Sequence, residues 1–106
     1  MKVNIELMSM YKRIVVETNS DNNVFLCNKK PVTNILLKQF EERLLDIVIY
    51  WEQNTIKNYY VDLETVRVEI EKDGEFFEYF IQGIYPDNYN EFINLLEGLE
   101  YGQMYL

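Results

Sequence analysis

Histidine is missing from all 106 residues, and with it go the side chain most used for proton transfer near neutral pH and the commonest metal ligand. Nucleophile triads and zinc centres are thereby excluded, and Ser9 and Ser20 stand in no nucleophile motif. Cysteine occurs once, as Cys27, which excludes an intrachain disulfide and fits a reducing compartment. The run Phe25-Leu26-Cys27 reads as strand interior, so Cys27 is expected to be a small buried hydrophobe. Of the four glycines, Gly74, Gly83, Gly98 and Gly102, none opens a phosphate-cradling loop ahead of a lysine. Asp21-Asn22-Asn23 and Asp87-Asn88 lack the downstream glutamate of a calcium loop and read as turn and cap residues. The expectation is a protein with no catalytic residues, cofactor or metal, and no enzymatic activity.

Long apolar runs are also missing. The longest, Ile47 to Trp51, falls far short of the ~20 residues that span a bilayer. Lys2, Asn4 and Glu6 interrupt the apolar residues between Met1 and Met10, unlike a signal-peptide core, so a cytoplasmic location away from membranes is expected. What is present is a hydrophobic fraction of 48%, enough to pack a core and offset the entropy of ordering the chain. A chain of this length reads as a single domain, 1–106.

The net charge of −8 is unevenly spread. Residues 1–57 hold 7 acids and 8 bases, whereas residues 58–106 hold 11 acids against Arg67 and Lys72 alone, and no base follows Asp73. The second half should repel nucleic acid and attract basic protein surfaces.

Val3, Ile5 and Leu7 alternate with polar residues at the period of a half-buried strand. Tyr11 to Thr18 reads as a second strand, and Asn19 to Asn23 as a turn before a return strand over Val24 to Asn28. Lys29-Lys30-Pro31 breaks the pattern ahead of a helix from about Asn34 to Glu52, capped by Thr33 or Asn34. Leu37, Phe40, Leu44, Ile47, Val48 and Trp51 line one face of it. Leu45, Ile49 and Tyr50 make its second half apolar nearly all round, which calls for cover on two sides or a subunit contact.

Beyond a polar linker, Gln53 to Asn58, two strand-like runs flank Asp73-Gly74, a strong hairpin dipeptide. A two-residue loop sets Val66, Val68 and Ile70 opposite Ile81, Tyr79 and Phe77; a three-residue loop with a glycine bulge remains the alternative. Asn88 with Glu91 forms a capping box for a second helix with a stripe of Tyr89, Phe92, Ile93, Leu96 and Leu99, ended by Gly98 or Gly102. The order β-β-β-α-β-β-α, without a βαβ crossover, predicts an α+β fold: an antiparallel sheet of about four to five strands with two helices.

In that register Glu69 faces Glu78, Glu71 faces Phe76 and Arg67 faces Phe80. Facing carboxylates mixed with phenylalanines are costly for a protein that need only fold, so this face is a candidate contact surface, unless a loop or the C-terminal tail covers Phe76 and Phe80. The charged set is Glu69, Glu71, Asp73, Glu75, Glu78, Asp87, Glu91, Glu97 and Glu100. Tyr85, Tyr89, Tyr101 and Tyr105 are candidate anchors between the carboxylates, while Phe77, Tyr79 and Phe92 are expected in the core.

A strand, the Asp73-Gly74 turn, a second strand and a helix, set in the acidic stretch of roughly residues 60–106, give this segment a layout that resembles the small acidic phage-encoded anti-CRISPR proteins, inhibitors of CRISPR effector nucleases. The resemblance is one of architecture and composition. It implies that the acids stand in for DNA phosphates and plug the basic groove that reads target-flanking duplex. Two alternatives stay open: an immunity or antitoxin-like protein that neutralises a basic nuclease toxin, and a non-catalytic structural homodimer joined through helix 34–52.

Overall fold

Alternation of apolar and polar residues carries through into a sheet with one covered and one open face. The computed structural model describes residues 1–51 and 64–104, with residues 100–104 described by their backbone alone. The elements are β1 (Lys2–Met8), β2 (Arg13–Asn19), β3 (Val24–Cys27), β4 (Lys30–Pro31), α1 (Leu37–Val48), β5 (Thr65–Lys72), β6 (Glu75–Gln82) and α2 (Tyr89–Met104). The strands form one antiparallel sheet in the order β4-β3-β2-β1-β5-β6.

The α+β class with two helices and an antiparallel sheet stands, but the described residues make six strands, not four to five. The addition is β4. Asn28 and Lys29 both adopt positive φ, 51° and 68°, closing a two-residue turn that returns Lys30 against Cys27. Pro31 has no N–H to donate, which an edge strand tolerates, so the residue that reads as a breaker sits inside a short strand. The second strand begins at Arg13, later than expected, because Ser9 N–H donates to the Lys12 carbonyl and closes the β1–β2 turn first.

One face of the sheet buries Val3, Ile5 and Leu7 from β1, Ile14 and Val16 from β2, Phe25 and Cys27 from β3, Val66, Val68 and Ile70 from β5, and Tyr79 and Ile81 from β6. Both helices lie on it. Phe40, Leu44, Ile47 and Val48 descend from α1, with Trp51 just beyond its end, and Phe92, Leu95, Leu96 and Leu99 descend from α2. The Phe25 and Phe40 rings lie 5.0 Å apart, and Trp51 meets Phe92 at 5.0 Å and Tyr79 edge-on at 6.1 Å. Removing a ring such as that of Phe40 from this interior costs about 3–5 kcal/mol.

Both helix ends differ from expectation. α1 starts at Leu37 behind an extended Leu36 with no side-chain cap, and neither Thr33 nor Asn34 caps it. Asn34 instead donates from Nδ2 to the Gly98 carbonyl at 2.9 Å, tying the lead-in of α1 to α2. Helix α1 ends at Val48, and both Glu52 and the linker Gln53 to Asn58 fall outside the described residues. Asn88 builds no side-chain capping box, since its amide is committed to Trp51 and Ile47, and α2 runs through Gly98 and Gly102 to Met104. With Asn34 at Gly98 and Asn88 at Ile47, the helices run antiparallel.

Candidate functional site

The face of the sheet that the helices leave open carries the facing carboxylates. Asp73 (φ 52°) and Gly74 (φ 79°) make a two-residue turn with both residues left-handed, which selects the register with Val66, Val68 and Ile70 opposite Ile81, Tyr79 and Phe77. Glu69 therefore stands opposite Glu78, Glu71 opposite Phe76, and Arg67 opposite Phe80. Directly opposite Cβ atoms in such a ladder are about 4.5–5.5 Å apart.

The neighbour on the other side, β1, sharpens the pattern. Its register sets Lys2 against Glu71 and Glu6 against Arg67, each an opposite-charge pair, but Asn4 against Glu69. Glu69 thus lies between an amide and a second carboxylate, and neither it nor Glu78 joins an ion pair with a described residue. The Arg67 guanidinium lies over the Phe80 ring, 5.9 Å from its centroid. A shallow depression of about 280 Å³ opens beside them, lined by Asn4, Glu6, Glu17, Arg67 and Glu69 among others. Phe76 is 58% exposed, so no described loop or tail covers it, whereas Phe80 is half-buried. Asp73 and Glu75 are exposed at the turn.

Glu69, Glu71, Asp73, Glu75, Phe76, Glu78 and Phe80 are thus gathered on one hairpin. The remaining acids are not. Asp87, Glu91 and Glu97 belong to the helical layer on the opposite side: Asp87 is exposed ahead of α2, Glu91 borders an open groove with Arg43 and Asp46, and Glu97 is bonded to Lys12 at 3.1 Å. The side chains of Glu100 and Tyr101, and all of Tyr105, lie outside the described residues.

The Tyr85 and Tyr89 rings pack 4.6 Å apart at a tilt of 42° and converge on Glu64, Tyr85 donating to its carbonyl and Tyr89 to its carboxylate. Burial, joined by that hydrogen bond and the adjacent carboxylate charge, pushes the Tyr89 phenol well above the ordinary tyrosine range. Both hydroxyls are therefore engaged in holding the start of β5 against α2.

Glu6 and Glu17 lie on the same open face as Glu69 but come from the charge-balanced half of the chain. Their alternation with Val3, Ile5, Val16 and Thr18 marks them as outward-facing; that they neighbour Glu69 depends on β1 lying between β2 and β5. Arg13 approaches Glu6 at 3.7 Å and Lys29 bonds Glu17 at 2.6 Å, so the unbalanced charge concentrates at β5 and β6.

No described helix is long and apolar enough to cross a membrane. No protein-family model matches the chain, and no curated protein or solved structure matches it.

Proposed function

We propose that this protein inhibits a partner by binding it, presenting the open face of the β5–β6 hairpin to the basic nucleic-acid-binding groove of another protein. The first reading of that partner is a CRISPR effector nuclease, with the acids competing as DNA phosphates would in the host cytoplasm of a phage infection. The observation that carries it is Glu69 opposite Glu78, neither in an ion pair with a described residue, on a face that also exposes Phe76. Like charges held opposite each other are unfavourable for folding, and a partner's lysine or arginine relieves that cost on binding. Carboxylates held on a paired sheet need little ordering, which favours affinity. An immunity protein against a basic toxin nuclease would use the same electrostatics.

The test is inhibition of DNA cleavage by a panel of CRISPR effectors and toxin nucleases, with wild type and a Glu69→Lys, Glu71→Lys, Glu78→Lys triple variant at low and moderate salt. Inhibition by wild type that salt weakens and reversal abolishes supports the reading. An inhibitor equally potent after reversal sinks it, and a panel wholly uninhibited moves weight to the structural dimer, whose support is the exposure of Ile49 and Tyr50 just past the end of α1.

A further inference from the structure

The two outermost strands among the described residues are finished differently. On one side β4 is two residues long and includes Pro31, which denies a passing strand a donor. On the other side β6 runs for eight residues with no proline, glycine or bulge, in unbroken register with β5, and carries Phe76, Phe77, Tyr79 and Phe80. A regular, aromatic strand with outward backbone groups that no described element pairs, as in its half nearest the turn, is a template for another strand, and proteins ordinarily blunt it.

The hairpin turn decides which backbone groups are offered. A two-residue loop makes Lys72 and Glu75 a hydrogen-bonded pair, and the pairs alternate from there. Glu75, Phe77 and Tyr79 therefore turn N–H and C=O toward β5, while Phe76 and Glu78 turn theirs outward, where no described element pairs with them. The side chains of these same two residues stand on the open face, and Glu69 lies directly behind Glu78.

We infer that the turn-proximal half of β6, Glu75 to Tyr79, takes up an extended segment of a basic partner as a seventh strand. Backbone bonds to Phe76 and Glu78 hold the segment, and a lysine or arginine on its open face meets Glu78 and reaches Glu69. This rests on the reading that the partner is basic and adds how it is gripped: the main chain supplies affinity, and alternate side chains supply specificity. Charge selects the occupant. A strand beside β6 sets a residue directly opposite Glu78, next to two carboxylates that form no ion pair with a described residue, on a stretch with no base after Asp73. A second copy would bring Asp73, Glu75 and Glu78 against the same acids, which like-charge repulsion disfavours.

The probe is a fluorescein-labelled nine-residue peptide of alternating lysine and valine, compared with a copy N-methylated at its lysines. Binding is read by anisotropy, and hydrogen exchange reads the amides of Phe76 and Glu78. Phe76→Pro deletes an outward N–H while leaving every acid and the β5 ladder in place, and Glu78→Gln deletes the charge while leaving the backbone.

The parent peptide is expected to bind and to slow exchange at Phe76 and Glu78. Both N-methylation and Phe76→Pro should weaken it about tenfold, and Glu78→Gln should lower its salt dependence. Should Phe76→Pro fail to fold, the N-methylated peptide carries the test alone. Equal binding by the N-methylated peptide, or unchanged exchange at both amides, overturns strand addition. The acidic-surface reading then survives only if Glu69→Lys with Glu78→Lys still abolishes binding. Dimerisation of the protein that Phe76→Pro removes would assign the edge to a second copy and overturn the choice of partner.

Discussion

The indole N–H of Trp51 donates to Oδ1 of Asn88 at 2.6 Å, and Nδ2 of Asn88 donates in turn to the Ile47 carbonyl at 2.9 Å. One amide thus satisfies a buried donor and a carbonyl at the end of α1 while it stands ahead of α2. Asn88→Ala leaves both without partners, at a cost of about 2 kcal/mol. Thermal unfolding should shift down on the order of 10 °C. Trp51 is the only tryptophan, so its fluorescence reports the same loss locally. A melting temperature within a degree or two of wild type would show that the bridge contributes nothing.

Facing carboxylates make stability and binding move in opposite directions. Glu78→Lys converts a like-charge cross-strand pair with Glu69 into an opposite-charge pair, so the variant should gain about 0.2–1 kcal/mol in urea unfolding. The same change should lower affinity for a basic partner. A destabilised variant would mean that Glu78 has a folded-state role unconnected with repulsion.

Gly98 lies inside α2, and a Cβ added there would meet nothing within 4 Å. Gly98→Ala removes the entropic penalty of glycine in a helix interior and should raise stability by about 0.5–1 kcal/mol, measured by chemical denaturation. Destabilisation would indicate that α2 does not continue through this position.

Glu41 is half-buried on α1, and its Oε2 is buried with no hydrogen-bond partner among the described residues. Burial raises its carboxyl above the ordinary range, against the pull of the Met1 ammonium and Lys72. Because the folded state then holds a proton that the unfolded chain releases, this group's contribution to stability falls as pH rises from about 4.3 through the raised value. Glu41→Gln should therefore be more stable than wild type at pH 7, with the difference vanishing near pH 3.5. Urea unfolding at the two pH values checks it, and an equal difference at both would rule out the carboxylate as the cause.

Much of the candidate surface was legible because it lies on one hairpin. Asp73-Gly74 accepts the left-handed conformation that a two-residue loop demands, and a single register then buries Val66, Val68, Ile70, Tyr79 and Ile81 together, which places Glu69 opposite Glu78. The acids of the last third looked like one set because charge along a sequence carries no information about layers. In space β6 and α2 lie on opposite sides of the core, which separates Glu78 from Asp87, Glu91 and Glu97. Asn88 and Asn34 read locally as helix caps, since asparagine has a short amide beside a helix start. Each instead satisfies a distant backbone carbonyl, Ile47 or Gly98, that only packing brings within reach.

By itself the sequence determined the strands' inward faces and the two helical stripes, because these depend on periodicity; it narrowed the β5–β6 register to two, and the left-handed torsions of Asp73 and Gly74 chose between them. Tertiary structure decided which strands are neighbours. By setting β1 between β2 and β5, it gave Glu71 and Arg67 their opposite charges in Lys2 and Glu6, left Glu69 beside Asn4, and made β6 the outermost of the described strands on its side. Strand order is settled by how two helices and six strands close over a common core, a global packing condition that no local stretch of residues encodes.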